Sequence, residues 1–215
     1  MLISKSRRRI LSRNGAILLR PHFSLAQYKT FDLAVFAVIL AISEALISLA
    51  SSRWFPDQLY TVSAVAGVVA IVTVRWKWFA GIHAVIGGLV ICLVLGSMGQ
   101  QYLIYCAGNL LGLVGIFLAK AIKEERMRKN PLLAMLYGAA VLFLMQTGRA
   151  GISLILGYGI KNALAFYATD SLSYIFTALI LLIASRQDGL LENQVHYIHR
   201  IQDAEEKKAG EYNES

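Results

Sequence analysis

The sequence predicts an all-α integral membrane protein with six transmembrane helices and both termini on the cytoplasmic side. Of its 215 residues, 57% are hydrophobic and only 16% are charged, whereas charged residues make up about a quarter of a typical soluble domain. Long apolar runs recur along the chain, each about as long as a bilayer is thick. Positively charged residues fall almost entirely into alternate gaps between these runs. This pattern argues against soluble enzyme folds, nucleic-acid-binding modules and secreted disulfide scaffolds.

Six apolar segments give the predicted helices of a membrane domain that covers residues 32–186. Backbone N–H and C=O groups find no water in lipid, so each segment must be helical. The segments do not alternate between apolar and polar residues as the strands of a membrane barrel do. A basic N-terminal tail (1–31) and an amphipathic C-terminal tail (187–215) complete the chain. In chain order the segments are 33–51, 59–74, 79–98, 101–119, 132–156 and 163–184.

The distribution of Lys and Arg predicts the orientation of these helices. Eighteen of the 21 basic residues lie before the first segment, after the sixth, or in the gaps after the second and fourth segments. The opposite side holds only Arg53 and Lys161, and Arg149 lies inside the fifth segment. Because loops rich in Lys and Arg stay in the cytoplasm, we expect both tails to be cytoplasmic. We expect the protein itself to lie in the plasma membrane of a bacterial cell.

Motifs for phosphate, metal or nucleophile chemistry are missing from the sequence. It contains no G-x-x-x-x-G-K-[ST] phosphate loop and no H-E-x-x-H zinc motif. Gly151-Ile152-Ser153 is not continued as a serine nucleophile elbow. His196 and His199 stand three apart in the C-terminal tail without an evident third ligand. We therefore expect no enzyme activity, no cofactor, no metal and no nucleic-acid partner.

Three ionisable residues lie well inside predicted helices, where a charge is costly and therefore marks a candidate functional group. At a rise of about 1.5 Å per residue, Glu44, Arg149 and Asp170 all fall in the outer half of the bilayer. Arg149 could form a purely structural ion pair with either carboxylate. Two carboxylates and one guanidinium leave one negative charge in excess, which a ligand with a cationic or donor group would use.

Polar and aromatic side chains accompany these charges on the predicted helices four to six. They recur three or four residues apart, so they share one face of each helix, while the inner halves of these helices are mainly apolar. A through-pore would need polar residues along its whole depth, so the pattern predicts a cup that opens outward. The predicted substrate-binding residues are Glu44, Trp54, Tyr105, Asn109, Gln146, Arg149, Ser153, Tyr167, Asp170 and Tyr174.

Small residues on the first helix predict a face for close contact with another helix. Ala37, Ala41 and Ala45 recur every four residues, and such a small-x-x-x-small pattern lets two helix backbones approach closely. The approaching helix could belong to a partner protein or to the same chain.

These features together resemble the substrate-binding S component of energy-coupling factor (ECF) transporters. The similarity rests on six helices within residues 30–186, two cytoplasmic termini, the Ala37-x-x-x-Ala41 motif and the outward polar cup. The resemblance implies capture of a small water-soluble vitamin or micronutrient from outside. It also implies docking of these alanines on a membrane coupling subunit that two cytoplasmic ATPases drive, and a lid over the site at residues 52–58.

Two other functions remain open from the sequence. A structural scaffold of the cell envelope, resembling the rod-shape protein MreD, would use the charges for packing and the tails for its partners. A stand-alone secondary transporter would use Glu44 or Asp170 to relay protons. The mixed charges and aromatic side chains favour an amphoteric, ring-containing ligand without identifying it.

Overall fold

A computed structural model describes residues 24–54, 61–201 and 203–204, and within them the chain is helical with no strand. Most of the predicted N-terminal tail and the last residues of the C-terminal tail lie outside this part. Residues 194–201 form a short helical segment after the last long helix. The helices before it are α1 (Leu25–Trp54), α2 (Val65–Trp76), α3 (Ala80–Val94), α4 (Gly99–Asn109), α5 (Gly115–Ile122), α6 (Glu124–Lys129), α7 (Pro131–Ile155), α8 (Ile160–Thr169) and α9 (Ser171–Arg186).

The helices agree with the predicted fold class, and their lengths differ in detail from the predicted segments. Within the described residues, four stretches are long and apolar enough to cross a membrane. The pair α8 and α9 would make a fifth, although it bends by 42° at the break between its two helices. The predicted sixth helix is therefore not one straight rod, because the chain breaks at Asp170.

Helices α2 and α3 fold back on each other, although they count as one stretch by length and composition. Lys77 has a φ of 54°, in the left-handed region that residues other than glycine rarely adopt. A Cβ built on Gly87 of α3 would lie 2.4 Å from a methyl carbon of Val65, the first residue of α2. Val65 and Gly87 are 22 positions apart in the sequence, which would separate them by about 33 Å in one straight helix. Their close contact therefore shows that α2 and α3 run antiparallel.

Helix α2 lies at the centre of the bundle. Every residue from Val65 to Trp76 is buried, and the helix contacts α1, α3, α5, α7 and α9. Its sequence is apolar all round, which is typical of a helix enclosed by other helices. These five helices therefore enclose α2.

Helices α4 and α7 approach each other at a pair of glycines. A Cβ on Gly148 would lie 2.1 Å from the carbonyl oxygen of Gly108, and a Cβ on Gly108 would lie 2.7 Å from the Cα of Arg149. Only glycine allows two helix backbones to pack this closely. This contact places Arg149 directly against α4.

One end of the bundle gathers the segments that the sequence predicts to be cytoplasmic. Arg75, at the end of α2, donates two hydrogen bonds to the Asp32 carboxylate of α1, of 3.0 and 2.6 Å. Its Nη1 donates to the carbonyl oxygen of Gly189, after α9, at 2.5 Å. The start of α1, the α2–α3 turn and the C-terminal segment therefore meet at one buried arginine.

The described part of the C-terminal tail packs against its own chain. Leu191 is buried in the core, and the N–H of Asn193 donates to Glu124 of α6 at 2.9 Å. Arg128 of α6 pairs with Glu192 at 3.1 Å. The apolar side of the predicted amphipathic tail is thus used, at least in part, to close this end of the bundle.

The glycine contact predicts different effects for two neighbouring substitutions on α7. We expect Gly148→Ala to lower the free energy of unfolding by about 1–3 kcal/mol, because α4 and α7 must move apart. Gly151→Ala is the matched control, since a Cβ there meets nothing within 4 Å, and it should be neutral or stabilising by up to about 1 kcal/mol. Unfolding in mixed micelles with increasing SDS measures both, and equal effects would contradict the packing.

The ion pairs at the basic end predict a second contrast. Arg75 is 5% exposed, and Arg75→Ala leaves the largely buried Asp32 carboxylate with only the indole N–H of Trp76 as a hydrogen-bond donor, so it should cost about 3 kcal/mol. The side chains of Lys129 and Glu125 pair at 2.6 Å but are 71% and 69% exposed, so Lys129→Ala should cost about 0.5 kcal/mol or less. The same unfolding titration compares them. A similar loss in both variants would show that Arg75 does not hold this end together.

Candidate functional site

A cavity of about 160 Å³ lies at the end of the bundle opposite Arg75. Its wall comes from the last turns of α1, the segment before α2, the end of α3 and the start of α4, and its floor from Arg149 and Asp170. At about 30 Å³ per water in the liquid, this space corresponds to about five water molecules. It is smaller than the pockets of about 300–1,000 Å³ that hold drug-sized ligands.

Arg149 of α7 forms the floor and is only 1% exposed. Its Nη1 donates to Oδ2 of Asp170 at 2.6 Å, and its Nε donates to Oδ1 of Asn109 at 2.7 Å. The guanidinium carbon lies 4.9 Å from the centre of the Tyr105 ring. Of the two carboxylates that the sequence offered to Arg149, the structure therefore pairs it with Asp170, within a set of hydrogen bonds that offsets the loss of hydration.

Asp170 occupies the break between α8 and α9. Its Oδ1 accepts a hydrogen bond from the hydroxyl group of Thr61, and the N–H of Thr61 donates to the carbonyl oxygen of Thr169 at 2.9 Å. A helix that ends inside a protein leaves backbone groups without partners. Here the segment before α2 supplies a partner for one of them, the carbonyl oxygen of Thr169. Both carboxylate oxygens of Asp170 are thus used by the protein itself.

Glu44 of α1 lies behind the cavity wall rather than in it. It is fully buried, and its Oε2 accepts the N–H of Ala64, just before α2, at 2.8 Å. A carboxylate at this place caps the helix and lies at the positive end of its dipole. Its Oε1 has no hydrogen-bond partner within the described residues. Glu44, which the sequence placed in the cup as a third charge, instead caps the start of α2.

Gln146, Tyr174 and Ser153 do not line the cavity. Gln146 is fully buried one turn below Arg149, and its Oε1 accepts a hydrogen bond from the Tyr174 hydroxyl at 2.7 Å. Ser153 is buried one turn above Arg149. These residues share the interior face of α7 and α9 as the spacing predicted, but they pack between helices at other levels.

Tyr167 and Trp54 also lie away from the cavity. The hydroxyl of Tyr167 donates to Oγ1 of Thr147 at 2.9 Å, next to the Gln146 that accepts from Tyr174. Trp54, the last residue of α1, is 76% exposed. Of the other residues of the predicted lid, Ser52 lines the cavity, and residues 55–58 lie outside the described residues.

The small residues of α1 lie at the edge of its contact with the bundle. Ala37, Ala41 and Ala45 are each half-buried. The side of α1 that packs inward carries Leu40, Glu44, Ser48 and Ser51.

Sequence reasoning missed the hydroxyl side chains that form much of the cavity wall. Ser48, Thr61 and Ser63 line it, so the wall includes α1 and the start of α2 and not only the predicted helices four to six. A signal was present, because Glu44, Ser48 and Ser51 recur at intervals of four and three residues and so share one helix face.

The buried ion pair predicts a non-additive response to mutation. Arg149→Ala leaves the Asp170 carboxylate buried without its cation, so we expect a loss of about 3–5 kcal/mol in the free energy of unfolding. Adding Asp170→Ala to that variant removes the stranded charge and should recover part of the loss. Unfolding titrations of the two single variants and the double variant measure the coupling, and losses that simply add would contradict the pair.

Comparison with known proteins identifies no relative. The chain matches no protein-family model, no curated protein and no solved structure.

Proposed function

We propose that this chain is the membrane-embedded substrate-binding subunit of an ECF-type ABC transporter, which captures a small water-soluble vitamin or micronutrient for ATP-driven uptake. The observation that carries the proposal is a cavity with a buried, hydrogen-bonded floor of Arg149 and Asp170. The basic segments gather at the opposite end of the bundle. Because basic segments remain in the cytoplasm, the cavity would open to the outside of the cell.

The proposal includes six membrane spans with both tails in the cytoplasm of a bacterium. The reversal at Lys77 divides Val65–Val94 into two antiparallel helices and so adds one span to the five counted by length. Helix α2 has 12 residues and is about 18 Å long, which is short for a span. It is enclosed by its neighbours, so it needs no lipid-facing surface of its own.

A binding cup fits the interior below the floor better than a channel does. Met145 and Leu142 of α7 and Leu181 of α9 are buried between the cavity and the basic end. Protein interiors pack without voids large enough for solutes, so these side chains block a continuous path. Release of a captured molecule into the cell would then need a movement of the whole subunit on its partners.

Coupling to ATP hydrolysis would come from partner proteins. The half-buried Ala37, Ala41 and Ala45 adjoin the lipid-facing side of α1, where Val38 and Ile42 are exposed. A helix of a membrane coupling subunit could approach α1 closely at these alanines. Two cytoplasmic ATPases on that subunit would supply the energy.

Affinity purification of the tagged chain from its native membrane in mild detergent tests the proposal. We expect recovery of one polytopic coupling subunit and two ATPases with phosphate-binding loops. Ala41→Trp should reduce this recovery because a bulky side chain holds the partner helix away. Ile39→Trp is the matched control, since Ile39 is 54% exposed and lies about 160° around α1 from Ala41, and it should leave the complex intact.

Other outcomes of the same purification would favour the alternatives. Recovery of envelope-synthesis proteins would favour the structural scaffold. Recovery of no partner, together with uptake by the lone chain in liposomes under a pH gradient, would favour the stand-alone secondary transporter. The buried Glu44, which forms no ion pair among the described residues, is the observation that speaks for that second function.

A further inference from the structure

The charges at the cavity floor compensate each other. Of the residues that line the cavity, only Arg149 and Asp170 are ionisable at neutral pH, and their side chains are 2.6 Å apart. Glu44, behind the wall, adds no positive charge. An anionic ligand would therefore meet no net positive charge, and a cationic ligand would have to compete with Arg149 for Asp170. The floor is suited to a ligand without net charge.

Several polar groups of the cavity have no protein partner. The hydrogen bonds of Arg149 use Nε and Nη1, so Nη2 has no partner within the described residues. The same holds for the hydroxyl groups of Ser48 and Tyr105, whose residues line the cavity. Oε1 of the exposed Gln101 accepts the N–H of Met98 at 3.2 Å, and its Nε2 has no partner in the described part of the chain.

The unpaired groups favour a ligand that accepts hydrogen bonds. A guanidinium nitrogen and an amide nitrogen can only donate, whereas the hydroxyl groups can donate or accept. Donors in such a cavity are left to water when no ligand is present, and a carbonyl or amide oxygen of a ligand can take the place of that water. The wall also carries Ile91, Leu95 and Met98, which offer an apolar surface to the rest of the ligand.

We infer that the cavity binds a compact, uncharged molecule whose carbonyl or amide oxygen accepts a hydrogen bond from Nη2 of Arg149. Its apolar part lies against Ile91 and Leu95, and the hydroxyl of Ser48 provides a further contact. The inference rests on the proposed binding function and narrows it, since the amphoteric ligand that the sequence favoured would have to break the pair of Arg149 and Asp170.

Probes of similar size and different charge test the ligand class. The full-length chain, purified in detergent, is titrated by calorimetry with benzamide and valerolactam, which are neutral, and with benzoate and benzylamine, which carry opposite charges. We expect saturable binding of a neutral amide and affinities for both charged probes that are about tenfold weaker or more. Tighter binding of benzoate or of benzylamine would overturn the inference, and so would the absence of binding by all four probes.

Substitutions on α1 test the position of the ligand without disturbing the ion pair. Ser48→Ala removes an unpaired hydroxyl from the cavity and should weaken binding of the neutral amide severalfold. Ser43→Ala is the matched control, because the Ser43 hydroxyl donates to the carbonyl oxygen of Leu40 in its own helix. Equal affinities of both variants would overturn the assigned position. Co-purification with the ATPases would stand in either case, so failure of this inference is distinguishable from failure of the proposed function.

Discussion

The positive charge of Arg149 has to be compensated inside the protein, because a lone arginine at the centre of a membrane helix costs about 3 kcal/mol even on the mildest scales. Its ion pair with Asp170 is the main part of that compensation. Its compensation requires three separate features of the fold. Gly108 and Gly148 bring α4 and α7 into backbone contact, so that the next residue on α4, Asn109, reaches the guanidinium. The break after α8 supplies Asp170. The ring of Tyr105, one turn before Asn109, covers one face of the arginine.

Irregular backbone in this bundle collects around the same pair. The chain is non-helical at residues 61–64 and breaks at Asp170, and non-helical backbone at membrane depth needs partners within the protein. Those partners are present, since Thr61 bonds to Thr169 and Asp170, and Glu44 caps Ala64. The cavity opens where these irregular segments meet, because helices that end or bend there cannot fill the space as straight helices would. Its place follows from the way in which the charges are satisfied.

The sequence was sufficient for the all-helical fold class and for bringing the residues around Arg149 together, and insufficient for the break at Asp170 and for the rest of the cavity wall. A polar residue in a long apolar run is conspicuous, and helix periodicity orients it, so Arg149, Asp170, Asn109 and Tyr105 could be brought together in advance. Tyr167 bonds to Thr147 and does not line the cavity, and the break of the sixth helix at Asp170 is not visible in the periodicity of one apolar run. The hydroxyl side chains escaped attention since serine and threonine are common inside membrane helices, where they often bond to their own backbone.

A purely structural ion pair would be expected to use all of its polar atoms within the protein and to be covered by close packing. The pair here meets the first condition for Asp170 but not for Arg149, whose Nη2 stays without a partner among the described residues. The second condition also fails, because the residues of α1 that line the cavity are Ser48, Ser51 and Ser52 rather than large apolar side chains. A leucine in place of Ser48 would fill space and exclude water at little cost in lipid. An unpaired donor, a small hydroxyl side chain and an unfilled volume each lower the stability of a structure that serves packing alone. Together they are the features that a bound ligand would complete, by accepting the hydrogen bond and filling the cavity.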